Sequence, residues 1–108
     1  MNILLQEELS KFKEMTQLQK IIWLNRILFL VSMYARDTYQ VGTIGLDKPE
    51  ELRRYNELIH RISGYLLKVS TDSSDVMPEW QFFNMLNESI NELNFKTSTL
   101  LDGVKELE

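Results

Sequence analysis

Cysteine is absent from the 108 residues, histidine occurs once, proline twice and glycine four times. Without cysteine there is no disulfide framework, no thiol nucleophile and no cysteine zinc site. One histidine, His60, excludes a histidine-rich metal site and leaves a catalytic triad a single choice of base. The carboxylate pairs Glu7/Glu8 and Glu50/Glu51 are adjacent, so on a helix their side chains diverge. Asp72 and Asp75 lack the spacing and glycine of a calcium loop. The expected complement of metals and cofactors is therefore none. A long hydrophobic run is also missing. The most apolar stretch, from Ile21 to Ala35, is interrupted by Asn25, Arg26 and Ser32, against roughly 20 apolar residues for a span. The start, MNILLQEELSKF, has no basic head, and acids break its apolar run, so it does not read as a signal peptide. A cytoplasmic protein without a membrane segment is the expectation.

What is present is enough for one core. Hydrophobic residues make up 44% of the chain and aromatics 10%, and the length suits a single domain over 1–108. The last two residues, Leu-Glu, resemble a cloning remnant. The net charge of −4 is uneven: residues 71–108 carry two Lys against eight acids, while the rest is slightly positive. An acidic chain is poorly suited to neutralising phosphates, so nucleic acid is not the expected partner.

The apolar period is helical throughout. Leu5, Leu9 and Phe12 mark a first helix over 3–15. Thr16 with Gln19 forms a capping box that opens a second, running to Gln40; no Gly or Pro separates the two, so a single bent helix fits as well. The segment VGTIGLDKP is a loop. Its GTIG is similar to the GXXG clamp of KH domains, but no strands accompany it. Asp47 with Glu50 caps a third helix from Lys48 to Ser70, on which Leu52, Tyr55, Ile59, Ile62, Leu66 and Val69 form a seam at 3-4 spacing. After TDSSDVM, Pro78 opens a fourth helix running to Leu101, with Phe82, Phe83, Leu86, Ile90, Leu93, Thr97 and Leu100 inward. Short connections favour antiparallel neighbours. The expected fold is all-α: an up-and-down bundle of four helices, three long ones plus an N-terminal helix.

Three surfaces follow. The second helix is apolar on two sides. Leu18, Ile21, Ile22, Leu28 and Phe29 form one stripe; Trp23, Ile27, Leu30 and Tyr34 form another. A small bundle covers one side, so the second stripe is expected either to meet another protein or a second copy, with Trp and Tyr as anchors, or to lie under the first helix. On the fourth helix Asn84, Asn87, Asn91 and Asn94 form a ladder. It reads as a polar flank, with Asn87 and Asn91 the members able to add selectivity for a partner. Between the second and third helices, antiparallel pairing brings Asn25, Ser32, Asn56, His60 and Ser63 to one level, as a hydrogen-bonded register network or the lining of a small pocket. The same pairing sets Asp37 near Arg53.

The stretch RRYNELIH places Arg54 and Arg53 five and six intervening residues before His60. It resembles the arginine–histidine motif of HEPN-type ribonucleases. In that family the two side chains act across a dimer to cleave RNA, which would make Arg53 or Arg54 with His60 catalytic. Tyr55 stands where the family places a polar residue. The leading expectation from the residues is a non-enzymatic protein–protein interaction module, with the ribonuclease as the alternative.

Overall fold

The computed structural model describes residues 1–42, 48–93 and 95–108. Five helices follow in order: α1 Ile3–Lys13, α2 Gln17–Gly42, α3 Lys48–Ser70, α4 Glu79–Glu92 and α5 Thr97–Glu106. They form an elongated body of 43 × 25 × 25 Å. All regular structure among the described residues is helical. The expected Asp47 cap and the 43–45 part of GTIG lie outside the described residues.

Each helix starts and stops for a local reason. Asn2 caps α1, its side chain accepting from Leu4 N–H at 2.7 Å. Thr16 and Gln19 form the reciprocal box: Thr16 N–H donates to Gln19 Oε1 at 2.9 Å and Gln19 N–H to Thr16 Oγ1 at 3.2 Å. That box separates α1 from α2. At the same end of the molecule α3 closes in a Schellman turn. Ser73 N–H reaches Lys68 O at 3.0 Å and Asp72 N–H reaches Val69 O at 3.2 Å, with Asp72 at φ 53°. An aspartate therefore occupies the left-handed position that glycine usually fills.

The expected fourth helix is two helices. The chain is extended at Leu93 (ψ 160°) and Lys96 (ψ 143°) and resumes helical form at Thr97. Neither glycine nor proline causes the break. The compensation is tertiary: Phe95 packs on Tyr34 at 5.1 Å and Tyr55 at 6.1 Å between ring centroids. Every residue named for the inward stripe, from Phe82 to Leu100, is nevertheless buried. The break redirects the stripe rather than exposing it.

The principal packing is α2 on α3, followed by α2 on α5 and α1 on α4. Gln17 Nε2 donates to Val69 O at 2.8 Å, which fixes the start of α2 beside the end of α3 and so their antiparallel register. At the centre Phe12, Trp23 and Phe83 lie pairwise at 5.3 Å, and Tyr65 stacks on Phe82 at 4.0 Å. One aromatic cluster thus joins all four helices from α1 to α4.

Candidate functional site

The position of α1 and α5 decides which side of α2 is free. Trp23 (3% exposed), Ile27 (0%) and Leu30 lie in the core, and Tyr34 is half-buried. These four were expected as partner-binding residues; they are instead the inward face of α2. Phe12 of α1 and Phe83 of α4 cover Trp23. Phe95 covers Tyr34, whose hydroxyl pKa is raised by burial and then by Glu106. Leu30 meets α5 so closely that a Cβ on Gly103 would sit 3.0 Å from Leu30 Cδ1. The buried Trp23 Nε1 has no hydrogen-bond acceptor among the described residues, so its burial rests on ring packing alone.

The opposite stripe of α2 is the one left open. Leu18 is 66% exposed and Phe29 52%, with Ile22 also exposed and Asn25 between them. Ile22, Asn25, Arg26, Phe29 and Leu107 line a shallow depression of about 420 Å³. Leu18, Ile22, Asn25, Phe29, Ser32 and Arg36 step by 4-3-4-3-4. That is the spacing of a helix–helix seam, here without a second helix on it. The sequence displayed both stripes. Choosing between them required knowing that α5 exists and where it folds.

The polar residues expected between α2 and α3 do not form a buried network. Asn25, Asn56 and His60 are exposed, and Ser32 and Ser63 are half-buried. Asn25 Nδ2 donates to Ile21 O within its own helix at 3.0 Å, leaving its oxygen free to accept. Asn56 and His60 lie with Arg53, Leu52, Glu57 and Arg61 along an open depression of about 600 Å³ on α3. Arg53, expected beside Asp37, is held by Glu50 at 2.6 Å and Glu57 at 2.7 Å of its own helix. The Glu50 bond raises the arginine pKa and lowers that of Glu50. Arg54 turns away and donates to Glu92 O at 3.3 Å, closing the end of α4. Arg53 and His60 therefore share a face, and Arg54 does not join them.

The asparagine ladder divides by role. Asn87 Oδ1 accepts from Asn2 N–H at 3.0 Å, and Asn2 Nδ2 donates to Thr97 Oγ1 at 3.4 Å. Asn87 thus anchors the start of α1. Asn84 and Asn91 are exposed, and Asn94 lies outside the described residues.

One concavity was not anticipated. A cleft of about 660 Å³ opens where the α1–α2 junction meets the end of α3 and the start of α4, lined by Lys13, Lys20, Lys68, Tyr65, Met77 and Trp80 among others. The signal for it was divided among three segments, and only the antiparallel register brings them together.

Among the described residues no three His, Asp or Glu side chains gather as metal ligands, and no helix is long and apolar enough to cross a membrane. Comparison with protein-family models, curated proteins and solved structures finds no match.

Proposed function

We propose that the protein is a non-enzymatic interaction module that pairs with a second copy of itself through the outer face of α2. The observation that carries this reading is the exposed seam Leu18–Ile22–Asn25–Phe29. Large side chains at seam spacing on a free helix face favour a helix as the occupant. The pattern also favours a copy of this helix. Asn25 sits at its centre, with Leu18 and Ser32 each seven residues away and Ile22 and Phe29 three and four away. An antiparallel two-fold through Asn25 sets Leu18 level with Ser32 of the second copy and brings Ile22 within one residue of level with Phe29. It sets the two Asn25 amides against each other, and an amide is self-complementary as donor and acceptor.

The contact is narrow. Leu18 to Ser32 spans about 21 Å of helix, and a standard interface covers roughly 800 Å² per partner. The pairing is therefore expected to be concentration-dependent, in about the micromolar range. A reducing, cytoplasmic setting suits a chain without cysteine. The test is Phe29→Glu, which places a charge on the seam and touches no core residue. It should leave the helical spectrum and melting temperature within about 0.5 kcal/mol of wild type in stability and give a monomer by light scattering. Unfolding would show Phe29 to be core; an unchanged mass would remove the seam from the interface.

The second reading is the ribonuclease. It is supported by Arg53, Asn56 and His60 lying on one open face of α3. It asks Arg53 to leave Glu50 and Glu57. Generic RNA incubated with wild type and with His60→Ala discriminates: equal background in both ends this reading.

A further inference from the structure

We infer that the cleft between the α1–α2 junction and the α3–α4 connection binds a small amphipathic organic anion, its acidic group held by Lys13 and Lys68 and its apolar body laid against Trp80. This site shares no residue with the seam on α2, so it stands independently of the pairing proposed above.

The walls are built for two kinds of contact. Val69, Val76, Met77, Pro78 and Trp80 give an apolar side, with Trp80 exposed to the cleft rather than packed in the core. Tyr65 lines the same cleft and is fixed by its stack on Phe82. Aromatic and aliphatic walls of this kind recognise the body of a ligand, and a few convergent polar groups set its orientation.

The charged groups lining the cleft are three lysines, Lys13, Lys20 and Lys68, and two acids, Asp72 and Glu79, an excess of one positive charge. Three lysines reach the cleft from three different turns, in a chain whose net charge is −4. Their commitments differ. Lys20 is bound to Glu79 Oε1 at 2.9 Å in a largely covered pair, with its ammonium 5.5 Å from the Phe12 ring centroid. It is structural and ties α2 to α4. Lys68 pairs with Asp75 at 3.2 Å, but that carboxylate is exposed and is also held by Ser73. Exposed pairs of this kind contribute little and exchange readily. Lys13 has no carboxylate partner among the described residues. The cleft therefore carries one free ammonium, a second that is easily redirected, and the start of α4, where Pro78 provides no side-chain cap for the first-turn amides. A helix start adds to anion attraction set up by other groups. The Schellman turn at Asp72 fixes the end of α3 and Ser73 on that wall.

Carboxylates and phosphates share the required chemistry, so the probes separate them. The experiment titrates the full chain with 1-naphthaleneacetate, 1-naphthyl phosphate and neutral 1-naphthalenemethanol and follows tryptophan fluorescence. Trp80 is the responsive indole, because Trp23 is buried. At least one of the two anions should bind about tenfold or more tighter than the neutral alcohol, and whichever binds better identifies the acidic group. Lys13→Glu should weaken that anion by about tenfold, the loss of one charge-assisted contact. Trp80→Ala, read by calorimetry, should weaken anion and alcohol alike, and Phe29→Glu should change neither. Equal affinity for the alcohol and both anions, an unchanged affinity in Lys13→Glu with its fold intact, or loss of binding in Phe29→Glu would each overturn the assignment.

Discussion

Replacing Gly103 by alanine should destabilise the protein, although alanine is the better helix former. Two effects oppose each other. In a helix interior, glycine to alanine contributes about 0.5–1 kcal/mol. At Gly103 the added Cβ meets Leu30 Cδ1 at 3.0 Å and Cδ2 at 3.2 Å, closer than ordinary van der Waals contact. Leu30 is the far end of a side chain, but it is buried against α5 and has little room to yield. Overpacking of this kind costs roughly 1–3 kcal/mol. Gly64 on α3 supplies the control, because a Cβ there meets nothing within 4 Å. Gly64→Ala should therefore stabilise by about 0.5–1 kcal/mol, and the two variants should differ by the overpacking cost alone, about 1–3 kcal/mol. Urea unfolding followed by circular dichroism measures both, with an unchanged slope expected. In a Leu30→Ala background the penalty at Gly103 should vanish, a coupling of about 1 kcal/mol or more. If Gly103→Ala stabilises as much as Gly64→Ala, α5 does not press on α2. The assignment of Leu30 to the core and of Phe29 to the surface would then fail with it.

Asp72→Gly should stabilise by about 1 kcal/mol in the same assay, because glycine occupies the left-handed position that closes α3 without the cost a side chain carries there; a loss would mean that the Asp72 side chain contributes more than its backbone costs. The Tyr65 hydroxyl is pushed up to about 12 from 10.0 by burial and then by Glu79. Its folded pKa is raised, so its contribution is complete below pH 10 and is lost as the pH climbs from 10 towards 12. The loss is at most on the order of 2–3 kcal/mol. Tyr65→Phe should flatten that alkaline slope; an equally steep slope in both proteins would place the effect elsewhere.

Much of this architecture was legible from residue spacing. The Thr16/Gln19 box, the α3 seam and the inward stripe from Phe82 to Leu100 are set by local chemistry that a single segment carries. The break after Glu92 was not legible, because no glycine or proline marks it. It exists because Phe95 gains a place between Tyr34 and Tyr55, which lie 61 and 40 residues earlier in the chain. The exposed face of α2 was misassigned for the same reason. Trp23 and Phe29 both read as members of an apolar stripe, and only the positions of Phe12, Phe83 and Gly103 settle which of them is covered. Asn87 likewise read as surface selectivity, whereas its partner is the backbone of Asn2, 85 positions away.

In the proposed pairing two copies meet antiparallel on α2 with Asn25 at the two-fold. Because the chain has no cysteine, Asn25→Cys introduces a single thiol per copy. Packed helices lie about 8–10 Å apart, so thiols on the axis come within the roughly 4.4–6.8 Å Cα separation of a disulfide. Under mild oxidation the variant should form a covalent dimer of twice the 12.8 kDa chain mass, abolished by adding Phe29→Glu. Leu18→Cys, whose mate lies about 21 Å along the helix, should stay monomeric. Equal cross-linking at both positions, or none at Asn25, would rule out this pairing.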